Sequence, residues 1–301
     1  MTTRNVAVAA TEGPPIESGR LSTRDGVGLY YAIHGRGPDA VLVPYAAALA
    51  PALADLGRRR TVIFYDMRSR GRSDPIADLS RVGIERDIDD LEDVRVHFGL
   101  ARVSLIGFSY LAAVVATYAS RWPGHVDHLV FLGGVGPRAA GGSGPDLSRL
   151  DSARLARLRA SYPAAAEQDP EAYCREFWAT YLPLYVGGMD RPTEAASRIL
   201  GGLCELPNER PTASLKLLQR ISEDGQALDL RAIGAAIRAP TLILHGDADH
   251  AAPLANARAW LEVIAGARLE IVPRAGHSLW AEAKPEVLDH LDRFLPPAPA
   301  R

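Results

Sequence analysis

Four short apolar runs mark the first half of the chain: 40–43 (AVLV), 61–65 (TVIFY), 103–106 (VSLI) and 126–132 (VDHLVFL). Stretches of helical period separate them. Runs that are apolar at nearly every position suit strands buried on both faces, and their alternation with helices predicts parallel βα units. Ahead of them, 16–23 and 27–34 flank Asp25-Gly26, a turn dipeptide suited to positive φ, and predict an antiparallel hairpin. A helix is predicted over 80–98, where Ile84, Ile88, Leu91 and Val94 share one face, Glu85, Asp89, Asp90 and Glu92 lie elsewhere, and Gly99 stops it. Segments 240–245 and 268–272 return to the buried-strand pattern, and helices are expected after them over 254–264 and 279–294. Between these halves, 137–238 shows no such alternation and mixes helical period, aromatics and prolines. The pattern therefore predicts an α/β fold: a core of 16–136 and 239–295, a mainly helical insertion over 137–238, a loose leader 1–15 and a tail 296–301.

Composition narrows the function classes. With 47% hydrophobic and 23% charged residues in 301, the chain has a globular mixture and enough length to bury roughly three quarters of its unfolded surface without a staple. Thirty-four Lys and Arg against 36 acidic residues leave a net charge of -2, so no basic field exists for nucleic acid. The run 6–10 is too short for a signal-peptide core, and no stretch approaches 18 apolar residues, so neither secretion nor a membrane partner is expected. Cys174 and Cys204 lack metal-ligand spacing and read as buried free thiols of a reducing, cytoplasmic compartment. The expected partner is a small-molecule substrate; a homo-oligomer is compatible with the same composition.

Chemistry concentrates at three strand ends. In Val103-Ser104-Leu105-Ile106-Gly107-Phe108-Ser109-Tyr110-Leu111-Ala112, a buried strand turns into a helix at Ser109. Such an elbow exposes the hydroxyl above the sheet and aims the following N–H, that of Tyr110, into the same space. A serine needs a base to take its proton as it attacks. His245-Gly246-Asp247-Ala248-Asp249 and Pro273-Arg274-Ala275-Gly276-His277 each follow later strands, so carboxylate and imidazole arrive at the edge where open α/β sheets place ligands. The chain order Ser109, Asp249, His277 is the one this elbow fold uses, with Asp247 as the rival carboxylate. His245 and His250 flank that loop but lack the further ligands a zinc site needs, so no metal is expected. His34, His97 and His125 read as structural.

These residues, with Tyr65-Asp66-Met67-Arg68-Ser69-Arg70-Gly71-Arg72-Ser73, resemble the α/β-hydrolase superfamily, and within it proline iminopeptidase-like hydrolases, over about residues 20–295. The resemblance implies that Ser109 takes the acyl group, His277 shuttles protons, and Asp249 fixes the imidazole tautomer. It also makes Ala46 and Tyr110 the oxyanion N–H donors, the insertion a helical cap, and 66–73 a structural turn. Two departures stand out. Leu111 replaces the Gly usual two residues after the serine and predicts a looser elbow. Val43-Pro44-Tyr45-Ala46 replaces the usual His-Gly loop, a change large enough to weaken hydrolysis by about 10²–10³ if a donor is misplaced.

Tyr162, Tyr173, Phe177, Trp178, Tyr181 and Tyr185 crowd one part of the insertion and are expected mainly in the core of the cap. Phe177, Trp178 and Tyr181, with Tyr45 and Phe108, are the candidate substrate-binding side chains. The expected activity is cofactor-free serine hydrolysis of an ester, thioester, lactone or small amide. The alternatives are acyl transfer or lyase chemistry on the same scaffold, ligand binding without turnover, and an iminopeptidase. The last would need acidic cap groups such as Glu171, Glu176 or Glu205.

Overall fold

Strands whose side chains are buried on both faces hold the molecule together. The computed structural model describes residues 14–137, 141–188 and 193–295; the expected leader, apart from its last two residues, and the tail lie outside the described residues. Its strands are β1 (Glu17–Ser22), β2 (Gly28–His34), β3 (Ala40–Pro44), β4 (Thr61–Tyr65), β5 (Val103–Phe108), β6 (Val126–Leu132), β7 (Thr241–Gly246) and β8 (Arg268–Val272). They form one eight-stranded sheet in the order β1-β2-β4-β3-β5-β6-β7-β8. The β1/β2 hairpin pairs antiparallel, and β2 joins β4 antiparallel; all later pairings are parallel. Gly26 supplies the positive φ of 83° that the hairpin turn needs.

Along β5, Val103 and Leu105 enter one apolar layer while Ile106 and Phe108 enter the other. The first layer takes in the helices Ile84–His97, Leu111–Arg121 and Ala255–Val263; the second takes in Ala46–Leu53, Leu279–Glu282 and Lys284–Phe294. This two-sided burial is why the central strands read as continuous apolar runs. At the sheet edge the reading needs correction: β8 is exposed at most positions, with Ile271 41% exposed, because it has a neighbour on one side only.

Three further expectations are corrected. The helix predicted from residue 80 begins at Ile84: Gly83 has φ 124°, and Asp224 accepts the Ile84 N–H at 3.1 Å. The single helix predicted over 279–294 is broken at Ala283, because Pro285 carries no N–H and its ring displaces a carbonyl one turn back. The cysteines are not free thiols. Cys174 and Cys204 form a disulfide that ties the helix Pro170–Tyr185 to the turn Leu203–Glu205. A bond of this kind belongs to oxidising compartments, so the cysteines give no support to a cytoplasmic placement. No helix among the described residues is long and apolar enough to cross a membrane.

Between β6 and β7 the described chain is helical, with helices Ser152–Ser161, Ala164–Gln168, Pro170–Tyr185, Thr193–Gly202, Pro211–Ala227 and Leu230–Ala236. The last of these lies inside the expected 137–238 insertion, yet Leu230 and Ile237 pack into the sheet's first layer beside helix Leu111–Arg121. The rest of the segment touches the loops beyond the C-terminal ends of the strands. Asp146 N–H donates to the His250 carbonyl at 2.8 Å, Ser278 N–H to the Tyr185 carbonyl at 2.8 Å, and Gly187 N–H to Glu282 Oε2 at 2.7 Å.

Candidate active site

The elbow after β5 is built around a strained backbone. Ser109 has φ 56°, a left-handed conformation that a non-glycine residue keeps only when its surroundings impose it. Here they do: Ser109 N–H donates to the Leu132 carbonyl at 3.0 Å, and its own carbonyl accepts the N–H groups of Ala112 and Val135, each at 3.1 Å. Tight approach of helix to strand is met two residues before the serine. A Cβ on Gly107 would lie 2.6 Å from the Leu111 carbonyl oxygen and 2.6 Å from Val115 Cγ2, which leaves room for Gly only. Leu111, where a Gly was expected, is buried in the first apolar layer, so its side chain finds space away from the elbow.

Asp249 and His277 meet across 28 residues. His277 Nδ1 donates to Asp249 Oδ2 at 2.8 Å, and both side chains are buried. With Nδ1–H held by the carboxylate, Nε2 carries the lone pair that can accept a proton. Asp249 Oδ1 accepts the Ala252 N–H at 2.7 Å. His245 lies against the same carboxylate, its Nε2 3.4 Å from Oδ2 and bonded to the Ala252 carbonyl at 2.6 Å. Burial pushes the His245 imidazole below its usual range, which keeps it neutral. Asp247 acts on the backbone instead: its Oδ1 accepts the N–H of Arg274, which stands at φ 57°, and so holds the turn ahead of His277. Glu282 braces the other side through the Gly276 N–H at 3.1 Å.

The imidazole sits between two aromatic rings, Phe108 at 4.7 Å and Tyr185 at 5.2 Å between centroids. Phe108 immediately precedes Ser109, so this contact places the ring beside the elbow. Among the described residues Ser109 Oγ makes no hydrogen bond, and the recorded side-chain bond of His277 is the one from Nδ1 to Asp249. Gly133, at φ 52°, also shapes the site: a Cβ there would stand 3.2 Å from His277 Nδ1 and 3.3 Å from Asp249 Oδ2.

The loop after β3 explains its unusual sequence. Tyr45 takes a left-handed φ of 77°, donates its N–H to the Tyr65 carbonyl at 2.8 Å, and donates its phenol to Glu209 Oε2 at 2.7 Å. Ala47 N–H goes to Asp66 Oδ1 at 2.8 Å. Between them, the Ala46 N–H has no acceptor among the described residues, and neither has the Tyr110 N–H. Pro44 therefore removes no donor that this loop uses.

A cavity of about 850 Å³ opens at Ser109 and Tyr110. Its apolar lining comes from Ile84, Ala113, Val135, Leu218, Ile221 and Leu228, and its polar lining from Ser222, Gln226, Asp229 and Arg231 as well as Ser109 and Tyr110. Tyr45, Phe108, Phe177, Trp178 and Tyr181 are not in its lining. Tyr45 is held by Glu209, and Phe108 supports the imidazole. Phe177 and Tyr181 pack with Leu158, Ala166 and Tyr173, and Trp178 stacks edge-on against Tyr185 at 5.3 Å. Helix Pro211–Ala227 supplies the lining instead, through an amphipathic face that its sequence shows but whose partner it does not. Asn256 and Trp260 were not singled out by the sequence and hold the wall in place. Asn256 Oδ1 accepts the Gly136 N–H at 3.0 Å, and Trp260 Nε1 donates to the Val135 carbonyl at 2.9 Å. Among the described residues no group of three or more His, Cys, Asp or Glu side chains is placed to hold a metal ion.

Two buried acids, Asp87 and Asp66, have a pH signature. The Asp87 carboxyl, beside the Tyr110 phenol at 3.4 Å, is pushed up to about 8 by burial and then by the nearby charge of Asp90. Asp66 is raised to about 6, again chiefly by burial. A carboxyl whose folded value exceeds its unfolded one binds its proton more tightly when folded. Its contribution to stability is full below about pH 4 and is lost as pH rises through the folded value. Asp87→Asn, which keeps the shape and cannot ionise, should therefore gain stability relative to the parent between pH 5 and pH 8. Thermal unfolding at both pH values checks this; an unchanged difference in Tm would contradict it.

Comparison with known proteins agrees with this architecture. Residues 32–283 match the family model described as alpha/beta hydrolase fold. The chain is 24% identical over 297 residues to the serine hydrolase BPHL of Mus musculus, covering 95% of this chain and 89% of that protein. It is 29% identical over 235 residues to a non-heme haloperoxidase of Rhodococcus erythropolis, covering 72% and 76%. Among solved structures, a bromoperoxidase from Bacillus anthracis superposes with a TM-score of 0.70 at 22% identity, covering 93% of this chain and 99% of that one. An esterase from Exiguobacterium antarcticum gives 0.68 at 19%, with 93% and 99% covered. Eight strands in this order, the strained turn after β5 and a family match spanning most of the chain lead to one conclusion: this protein belongs to the alpha/beta hydrolase family.

Proposed function

We propose that this chain is a serine hydrolase that cleaves small-molecule esters through an acyl-Ser109 intermediate, with 137–229 as a cap over the site. The observation that carries the reading is the buried 2.8 Å bond from His277 Nδ1 to Asp249, beside an elbow whose serine opens on an 850 Å³ cavity. Ser109 Oγ attacks the substrate carbonyl carbon as His277 Nε2 takes its proton. The carbonyl oxygen, now anionic, is held by the N–H groups of Ala46 and Tyr110. The imidazolium, stabilised by Asp249, gives the proton to the departing alcohol as the C–O bond breaks. Water then repeats the sequence against the acyl-enzyme and releases the acid. Every proton moves within the site, so the cycle requires no cofactor.

The mainly apolar lining favours an apolar acyl or alcohol portion, with Ser222, Gln226, Asp229 and Arg231 able to accommodate polar groups. A peptide amine is disfavoured. Glu171 is paired with Arg175 and Arg210, Glu176 is paired with Arg154, and Glu205 is exposed; none of the three lines the cavity. A fluorophosphonate probe tests the reading together with p-nitrophenyl esters of increasing acyl length. The expected result is stoichiometric labelling of Ser109, a burst of p-nitrophenol, and kcat/KM that rises with chain length until the cavity is filled. Absence of labelling at Ser109 would overturn it.

A further inference from the structure

The half-buried Tyr45 and the buried Glu209 form a pair beside the site that the hydrolytic cycle leaves without a role. Glu209 comes from the turn Pro207–Glu209, far along the chain in the β6–β7 segment, and is 5% exposed. Both carboxylate oxygens are engaged by the sheet's loops: Oε2 accepts the Tyr45 phenol at 2.7 Å, and Oε1 accepts the Gly71 N–H at 2.7 Å. Arg70 Nη1 stands 3.7 Å away, also buried. Asn208, the preceding residue, donates to the Ser73 carbonyl at 2.8 Å, so the whole turn is docked on the loop after β4. The Cys174–Cys204 disulfide and the bond from Arg210 Nε to the Cys204 carbonyl at 2.9 Å brace the turn from its other side.

We infer that Glu209 is a positioning residue that couples closure of the cap to assembly of the oxyanion hole; the inference rests on the acyl-enzyme reading above. Tyr45 is directly followed by Ala46, and its backbone is held at φ 77°, a conformation disfavoured for a bulky side chain. Local bonds fix the N–H groups on either side, Tyr45 to the Tyr65 carbonyl and Ala47 to Asp66. The phenol is the lever: with Glu209 in place it pins the left-handed turn that leaves the Ala46 N–H available to an oxyanion. With the turn withdrawn, Tyr45 loses its only hydrogen-bonded tether to the cap among the described residues and is free to relax toward ordinary φ, swinging the Ala46 N–H away. Burial and the adjacent carboxylate push the Tyr45 phenol well above its usual range, so it stays a donor. The benefit is a hole that is complete only when the cap is seated and water is excluded. An unusual Pro-Tyr in the oxyanion loop thus serves a purpose that a Gly could not.

The test compares Tyr45→Phe, Glu209→Ala and Glu209→Gln in the full-length protein, using a p-nitrophenyl ester, a trifluoromethyl ketone that forms an oxyanion on Ser109, and a non-reactive alcohol of the same chain as a ground-state ligand. Loss of one oxyanion donor costs about 10²–10³ in kcat, so partial misplacement in Tyr45→Phe should lower kcat roughly 10–100-fold. KM and alcohol affinity should hold, while ketone affinity should fall in step with kcat/KM. Gln at 209 should recover part of the Ala loss, because its amide can donate to the phenol while its oxygen keeps the Gly71 N–H. Glu209→Ala leaves Arg70 buried beside an apolar gap and can fail to fold; Tyr45→Phe removes one oxygen and keeps the test decisive. Equal ketone-to-alcohol affinity ratios in parent and Tyr45→Phe would overturn the inference. If the parent itself is not labelled at Ser109, the acyl-enzyme reading fails, an outcome distinct from a labelled parent with an unaffected Tyr45→Phe.

Discussion

Ser109→Ala is expected to lower ester turnover by about 10⁴–10⁶-fold, the range seen when the nucleophile of a serine–histidine unit is removed, and to abolish fluorophosphonate labelling. Stability should barely change. The Ser109 hydroxyl makes no hydrogen bond among the described residues, and Ala meets the same φ of 56° that the backbone bonds to Leu132, Ala112 and Val135 already impose. Steady-state kinetics and thermal unfolding on one preparation check both halves. A residual rate within tenfold of the parent would move the nucleophile elsewhere, whereas a large drop in Tm would mean that the elbow needs the hydroxyl for folding.

The second large effect separates two carboxylates on one loop. Asp249→Asn should cost about 10⁴ in kcat, because an amide N–H facing His277 Nδ1 turns the imidazole to the tautomer that cannot accept the Ser109 proton. Asp247→Asn should leave kcat within a few-fold and lower stability by about 1 kcal/mol, the ordinary worth of a hydrogen bond to a charged group weakened to a neutral one. The difference follows from partners: Asp249 Oδ2 holds His277 at 2.8 Å, while Asp247 Oδ1 holds the Arg274 N–H at 2.6 Å. Pre-steady-state burst amplitudes give the comparison. Reversed effects would reassign the orienting carboxylate to Asp247.

The disulfide and the cavity mark where reading residues in order fell short. Cys174 and Cys204 lie 30 apart, and nothing in that separation says that a helix and a turn bring their Cα atoms to 5.6 Å. The aromatic cluster of the insertion was legible as apolar surface needing cover. Which neighbours it covers was not: Phe177 and Tyr181 pack inward, and Trp178 reaches His277 only through Tyr185. Ile221 and Leu218 line the cavity from a helix whose period was visible but whose docking face was not. Likewise, β8 reads as buried from its apolar letters, but edge or centre is a property of the sheet rather than of the strand.

What the sequence determined by itself is local and periodic: two-sided burial of β3 to β7, the sharp strand-to-helix turn at Ser109, and the order in which hydroxyl, carboxylate and imidazole reach one edge of the sheet. Each follows from backbone preference and side-chain spacing over a few residues. Only the tertiary structure decided what depends on contacts between distant segments, namely Glu209 on Tyr45, Asp247 on Arg274 and the helix wall beside Ser109. Those contacts are set by how whole elements pack against one another, and single short-range patterns carry no trace of which surface will be opposite.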